Sequence, residues 1–150
     1  MSMIFTIGYE GADLRSFLSV LDRHDISHVV DVRLTPFSRR SCFSKRSLAR
    51  ALKGRGIRYS HYPELGCPKD IRVVYAETGD FESYSASYQE RVLARSTTEI
   101  QHLAREARGE RTCLLCFEAD ANRCHRSIVA FRAAEVSRNA FGFYHLLVPS

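Results

Sequence analysis

Hydrophobic and polar positions follow two different periods along the chain. Short apolar runs rich in β-branched and aromatic residues predict five strands, at 3–8, 28–33, 57–62, 112–117 and 141–148. Between the first two runs, apolar residues recur with helical spacing at Leu14, Phe17, Leu18 and Leu21. Asp13 precedes them as a cap. The pattern therefore predicts strands that alternate with helices.

Three further helical segments are predicted, at 44–53, at 83–107 with a break near 96–98, and at 123–138. Ser44 and Asn122 are the predicted N-caps of the first and the last of these segments. Residues 63–81 contain two prolines and two glycines. We expect a long loop there, and a loop of that length in a compact domain is often functional.

The order β-α-β-α-β-α-β-α-β over 150 residues predicts one α/β domain, residues 1–150. We expect three layers, with helices on both faces of a mostly parallel five-stranded sheet. In such sheets, ligands bind beyond the carboxyl ends of the strands, where the strand order reverses. A strand order of 3-2-1-4-5 would bring Gly8–Glu10, Asp31, Arg33 and residues 116–118 together.

Charge is unevenly distributed along the chain. The net charge is +5, yet residues 32–63 hold nine basic groups and no acidic one, so the remainder is net acidic. Most of the basic groups are arginines, whose planar guanidinium matches phosphate and carboxylate oxygens. This segment predicts an anionic partner, either a phosphate-containing small molecule or a nucleic acid. A solvated helix face is the alternative interpretation.

The sequence predicts neither a membrane span nor an export signal. No apolar run is long enough to span a bilayer, and residues 1–8 lack the features of a signal peptide. Five cysteines without an export signal predict reduced thiols in the cytoplasm. We therefore expect a cytoplasmic protein without a membrane partner. The sequence leaves the oligomeric state open.

The densest group of reactive side chains spans residues 116–126. Cys116 and Glu118 close the fourth predicted strand, and Cys124, His125 and Arg126 open the last predicted helix. Free N–H groups and the dipole at a helix start bind anions and lower the pKa of a thiol. We predict a catalytic group of Cys116, Glu118, Cys124 and His125. In it, Cys124 is the nucleophile and Glu118 moves protons.

Anion or substrate binding is predicted for six residues that lie near this group or in the basic segment, namely Tyr9, Asp31, Arg33, Ser38, Arg39 and Arg126. Asp31 and Arg33 share one face of the second strand. They can equally form a buried structural pair. For the thiol cluster, the corresponding alternative is that Cys124 packs as a small apolar group.

Metal binding is a further hypothesis for the same cluster. Cys116, Cys124 and His125 are soft ligands, and Cys113 or Cys67 can add a fourth. Cys113 and Cys116 have CxxC spacing, but on a strand their side chains would point to opposite faces. We therefore predict no metal ligand and no cofactor.

The leading functional hypothesis is a thiol-dependent hydrolase or transferase, or an acid–base enzyme. Its substrate would be anionic and phosphate-containing or nucleotide-like. Two alternatives remain open. The first is a non-catalytic nucleic-acid-binding module that uses the basic segment 33–58. The second is a Cys/His metal-binding protein.

Several short motifs recur together in a known family. They are Thr6–Glu10, Asp31–Arg33, Pro36–Arg39, Phe43, Leu65–Gly66, Leu115–Glu118 and Cys124–Arg126. In this combination the chain resembles the family called domain of unknown function 488. Cys67 stands where that family commonly has a second glycine. The resemblance implies an α/β fold in a cytoplasmic bacterial or archaeal setting, and no settled activity.

Overall fold

The computed structural model describes residues 2–138 and 141–149. The strands are β1 (Ser2–Gly8), β2 (His28–Asp31), β3 (Arg58–His61), β4 (Thr112–Cys116) and β5 (Phe141–Leu146). The helices are α1 (Leu14–Arg23), α2 (Lys45–Lys53), α3 (Lys69–Thr78), α4 (Phe81–Arg91), α5 (Thr97–Gly109) and α6 (His125–Val136). Among these described helices, none combines the length and the apolar character that crossing a bilayer requires.

The five strands form one sheet in the order β3-β2-β4-β1-β5, and all its strand pairs are parallel. The predicted α/β class is confirmed. The strand order 3-2-1-4-5 assumed from the sequence is wrong, because β4 lies between β1 and β2. In this register Leu115 pairs with both Ile7 and Asp31, and Cys116 pairs with Gly8. The carboxyl end of β4 therefore lies at the centre of the sheet edge.

Alternating residues of β1, β2 and β4 enter two separate cores. On one face, Val29 and Leu115 pack beneath α1 and α2. On the other face, Val30, Leu114 and Cys116 pack beneath helices α3 to α6. Since a buried parallel sheet needs cover on both faces, this alternation gives the predicted three layers.

Connections leave neighbouring strands in opposite directions at the centre of the sheet. The chain runs from β2 outward to β3, whereas from β4 it runs to β5 at the opposite edge. The crevice formed where strand order reverses therefore lies between β2 and β4. The reversal predicted between the first and fourth strands is wrong in position, but residues after β2 and β4 still meet there.

Two predicted boundaries also differ from the structure. The segment 63–81 is not one long loop, because α3 occupies Lys69–Thr78. It begins after Pro68 and ends at Gly79, which adopts φ +68°. Only Ile71 of α3 is buried, so the helix has almost no apolar periodicity to detect. The break expected near 96–98 in the helix at 83–107 is present but lies slightly earlier, because a 3₁₀ turn at 93–95 separates α4 from α5.

Candidate functional site

A cavity of about 280 Å³ opens at the carboxyl ends of β2 and β4. Residues at or after the ends of these two strands, residues of the 67–72 region and one residue of α6 line the cavity. The lining residues are Arg33, Leu34, Thr35, Phe37, Cys67, Arg72, Cys116, Phe117, Glu118 and His125. This volume lies near the lower end of the range for small-molecule pockets. Three of the four predicted catalytic residues line it, namely Cys116, Glu118 and His125.

Cys124, the fourth predicted catalytic residue, lies at the start of α6. The predicted cap, Asn122, is wrong, because it lies in a preceding 3₁₀ turn, Ala121–Arg123. Cys124 is the N-cap instead, and its Sγ accepts a hydrogen bond from the N–H of Arg126 at 3.5 Å. A thiol thus occupies the position that Ser or Asp usually takes at a helix start. Cys124 is fully buried behind the cavity wall.

The imidazole of His125 is held in one orientation. Its Nε2 lies 2.7 Å from the carbonyl oxygen of Val32, which can only accept a hydrogen bond. Nε2 therefore carries a proton, and Nδ1 faces the two thiols at 3.8 Å from Cys116 Sγ and 3.9 Å from Cys124 Sγ. Tyr88 packs against the ring with its centroid 5.2 Å away. His125 can accept or return a proton at this position.

Cys116 and Glu118 share a hydrogen bond of 3.1 Å between Sγ and Oε2. Burial raises the pKa of the Cys116 thiol, but hydrogen bonds from Cys124, the charge and hydrogen bond of His125 and the hydrogen bond of Glu118 outweigh it. The pKa of Cys116 consequently lies well below its ordinary value. Burial, together with the negative charge of Cys116, raises the pKa of Glu118 to about 7.

The two thiols of the cluster have opposite electrostatic environments. Burial, followed by the hydrogen bond and charge of Cys116, raises the pKa of Cys124 well above its ordinary value. The expected lowering of the Cys124 pKa by the helix terminus is therefore wrong, because desolvation exceeds that effect. Burial lowers the pKa of His125, but the charge of Cys116 and its hydrogen bond outweigh burial and raise it. The arrangement favours a Cys116 thiolate beside a protonated His125.

Arg126 supports the turn that carries Glu118. Its fully buried guanidinium donates to the carbonyl oxygens of Glu118 and Ala119 and to Thr6 Oγ1. Gly8 permits this packing, since a Cβ there would lie 1.7 Å from the Glu118 carbonyl oxygen. Arg126 does not line the cavity. The anion role predicted for it stays a prediction, while the structure gives it a supporting part.

Asp31 and Arg33 form a buried pair, the structural alternative considered for them. Arg33 Nη2 lies 2.7 Å from Asp31 Oδ2, and Arg33 also donates to Tyr9 Oη at 3.2 Å and to the Phe43 carbonyl at 2.8 Å. Tyr59 Oη donates to Asp31 at 2.5 Å. Only Arg33 of this network reaches the cavity wall. The network fixes the start of the segment that lines the cavity.

The remaining predicted site residues, Ser38 and Arg39, are not among the residues that line the cavity. Ser38 is half-buried in the loop after β2, where its Oγ accepts from the Arg40 N–H, and Arg39 is exposed. Sequence reasoning did not include Arg72 and Phe117 in the site, although both line the cavity. Arg72 belongs to α3, the helix that the loop prediction missed. Phe117 lies between the predicted catalytic residues Cys116 and Glu118, and this position in the sequence could have indicated that it belongs to the site.

Three of the soft ligand atoms lie close enough to hold a metal ion. Cys116 Sγ, Cys124 Sγ and one ring nitrogen of His125 all lie within 4.8 Å of one another. Hydrogen bonding of the other ring nitrogen to a carbonyl is typical of ligating histidines. Cys113 lies in the core of the opposite sheet face, so it cannot complete this set.

A second group with possible metal ligands, His28, Glu106 and Glu110, lies at the other end of the sheet. There the guanidinium of Arg58 already pairs with both glutamates. An arginine cation thus occupies the position that a metal would take.

Comparison with known proteins identifies the chain at the level of a family. Neither the curated proteins nor the solved structures include a significant match. One family model does match, with the description "Domain of unknown function DUF488", over residues 13–133. This span includes all of the cavity-lining residues. On that match the chain belongs to the DUF488 family.

Proposed function

We propose that this protein is a thiol-dependent enzyme, a hydrolase or transferase, with Cys116 as its nucleophile. The observation that carries the proposal is positional. Of the two clustered thiols, only Cys116 lines the cavity, and its Sγ lies beside His125 Nδ1 at 3.8 Å and Glu118 Oε2 at 3.1 Å. A nucleophile activated by neighbouring proton acceptors is the usual arrangement in cysteine catalysis. This replaces Cys124 as the expected nucleophile.

Glu118 and His125 would divide the proton transfers between them. With a pKa of about 7, Glu118 can hold a proton or release it near neutral pH. His125, turned toward the thiol by Val32, would stabilise the thiolate before attack. Developing negative charge on the substrate would then meet preorganised positive groups in a partly enclosed site.

The proposed substrate is anionic and phosphate-containing or nucleotide-like. Arg72 supports this choice, because its exposed guanidinium lines the cavity and makes no ion pair within residues 2–138 and 141–149. Phe37 and Phe117 also line the cavity and are 73% and 46% exposed. Exposed aromatic rings beside a free arginine suit a flat ring that bears a phosphate.

Protection from alkylation tests the site and the substrate class together. Iodoacetamide labelling of Cys116 is followed by peptide mass spectrometry, with and without inorganic phosphate or adenosine monophosphate. We expect the anions to slow labelling in the wild type and much less in Arg72→Gln. Arg15→Gln, an exposed arginine on α1, is the matched control and should behave as wild type. Equal labelling rates with and without the anions would contradict the proposal.

A metal-binding protein is the second candidate, and it rests on the three ligand atoms within 4.8 Å. Cys116, Cys124 and His125 would leave one tetrahedral position open toward the cavity, as in catalytic zinc sites. Elemental analysis after anaerobic, chelator-free purification separates the candidates. One equivalent of zinc that is lost in Cys124→Ser favours the metal, and metal-free protein with reactive Cys116 favours the enzyme.

We also infer a cytoplasmic location. Cys42, Cys67, Cys113, Cys116 and Cys124 are all free thiols. Such a set is typical of a reducing compartment. Fractionation of cells that express the tagged protein, with detection in the cytoplasmic fraction, is the expected outcome.

A further inference from the structure

Cys124 has no part in the proposed reaction, although it is fully buried next to the reactive thiol. Its Sγ lies 3.9 Å from the same His125 Nδ1 that Cys116 Sγ approaches to 3.8 Å. The two sulfurs are no more than 4.8 Å apart. Such a pair, one thiol at the cavity and one behind it, fits the arrangement of a redox-active cysteine and its resolving partner.

We propose that Cys116 is a site of oxidation by peroxides and that Cys124 resolves the product as an intramolecular Cys116–Cys124 disulfide. The inference rests on the proposed function, because it takes Cys116 as the reactive thiol. Its chemical partner is a small peroxide, which can enter the cavity that Cys116 lines.

The first step makes a sulfenic acid. The Cys116 thiolate attacks one peroxide oxygen, the O–O bond breaks, and the other oxygen leaves with a proton as water or an alcohol. Sulfur is oxidised by two electrons and the peroxide is reduced by two. Glu118, whose carboxyl lies 3.1 Å from Cys116 Sγ, is placed to supply that proton.

The second step joins the two sulfurs. Cys124 gives its proton to the hydroxyl that leaves Cys116, through His125 Nδ1, and its sulfur attacks the Cys116 sulfur. An S–S bond forms, the S–O bond breaks and water is released. Starting from two thiols and one peroxide, the products are one disulfide, water and the reduced peroxide, so atoms and electrons balance.

Local geometry permits the sulfurs to approach bonding distance, about 2.05 Å. Cys116 is the last residue of β4 and Cys124 is the N-cap that precedes α6, so both thiols lie at the ends of their elements. The backbone carbonyl of Cys124 accepts from Ser127, whereas its sulfur accepts the long hydrogen bond from the Arg126 N–H, 3.5 Å. Small side-chain rotations at two element ends can therefore close the gap.

Two other cysteines are less suited to be the partner. Cys67 lines the cavity, but its Sγ is directed to the carbonyl oxygen of Pro68 at 3.7 Å and is not part of the cluster. Burial raises the pKa of the Cys67 thiol to about 11. Cys113 lies on the opposite face of the sheet.

Peroxide titration with mass spectrometry tests the inference on the full chain. Reduced protein is treated with one equivalent of hydrogen peroxide, and its intact mass and tryptic peptides are recorded. We expect the wild type to lose two hydrogens and to yield peptide 112–123 joined to peptide 124–126. Fragmentation should place the bond on Cys116, and Cys113→Ser and Cys67→Ser should form the same link.

In Cys124→Ser the link should be lost, and Cys116 should instead gain one oxygen that dimedone traps. A wild-type protein that gains oxygen without forming the link would overturn the inference, as would a link to Cys67 or Cys113. Iodoacetamide labelling of the same preparations keeps the two proposals separate. Reactive Cys116 without a disulfide overturns the inference alone, whereas unreactive Cys116 overturns the proposed function as well.

Discussion

At the scale of single residues, Glu118 shows how burial sets the chemistry of the site. Its carboxyl lies against the Cys116 thiol, and a second negative charge beside a thiolate in a partly buried place is unfavourable. The pair therefore holds one proton more readily than none. Burial of the carboxyl, together with this repulsion, raises the pKa of Glu118 to about 7.

Glu118→Gln should change how stability depends on pH. Because the folded-state pKa of Glu118, about 7, exceeds the ordinary 4.5, the folded protein retains a proton that the unfolded chain releases. The contribution of Glu118 to the stability of the wild type is therefore lost as pH rises from about 4.5 to 7, and the glutamine variant has no such contribution to lose. Relative to wild type, we expect Glu118→Gln to gain on the order of 1–3 kcal/mol between pH 4.5 and 8.

Urea unfolding at several pH values measures this difference. The control is Glu90→Gln, which changes an exposed glutamate on α4. The free energy of unfolding of the control should differ from that of the wild type by the same amount at every pH. A constant difference for Glu118→Gln as well would mean that the Glu118 carboxyl is not held in its protonated form by the fold.

At the scale of elements, the cavity depends on a close approach between two loops. A Cβ on Gly66 would lie 2.3 Å from Leu34 Cα, so only glycine lets the 65–67 segment lie on the backbone after β2. Tyr88 on α4 fixes the same segment, since its hydroxyl donates to the Leu65 carbonyl at 2.5 Å. Leu34 and Cys67 on the two loops then line the cavity.

Gly66→Ala should destabilise the protein and disturb the cavity. Because backbone atoms cannot move aside as a flexible side chain does, we expect a loss on the order of 2 kcal/mol or more. Gly109→Ala at the end of α5 is the matched control, because a Cβ there meets nothing within 4 Å. Thermal unfolding compares the two variants. If Gly66→Ala and Gly109→Ala were equally stable, the backbone at Gly66 would not lie as close to Leu34 as described.

Elements with strong periodicity could be predicted from the sequence, and weak ones could not. α1 buries Phe17, Leu18, Val20 and Leu21, so its helical face was visible. α3 buries Ile71 alone, and its signals were only Pro68 at the start and Gly79 at the end. Missing α3 also removed Arg72 from the predicted site. The N-cap at Cys124 was hidden because cysteine is an unusual capping residue.

At the scale of the whole molecule, strand order is decided by contacts between distant residues. The apolar runs of β1, β2 and β4 look alike in sequence, and nothing in them specifies that β4 pairs with both of the others. The prediction that reactive residues gather at the carboxyl edge did not depend on the strand order. Parallel strands place all their carboxyl ends at one edge, whatever their order. That Cys116 and Cys124 lie close together could be seen only in the three-dimensional structure.

Charge distribution over the whole molecule bears on the nucleic-acid alternative. Lys45, Arg46, Arg50 and Lys53 of α2 are all exposed, whereas Arg55 and Arg58 are paired with acidic residues. If α2 binds a nucleic acid, oligonucleotide affinity should fall steeply with salt, and Arg46→Glu with Arg50→Glu should weaken it more than tenfold. Arg105→Glu on α5 is the control. Affinity independent of salt and of α2 charge would exclude this role.

The proposed function requires Cys116 to be a thiolate at the cavity. The rate of iodoacetamide labelling at Cys116 between pH 4 and 10, resolved from the other cysteines by peptide mapping, tests this requirement. We predict a titration with an apparent pKa well below the ordinary thiol value of about 8.5, with Cys124 unlabelled in the folded protein. A Cys116 that titrates at or above about 8.5, or is not labelled, would contradict the proposed function.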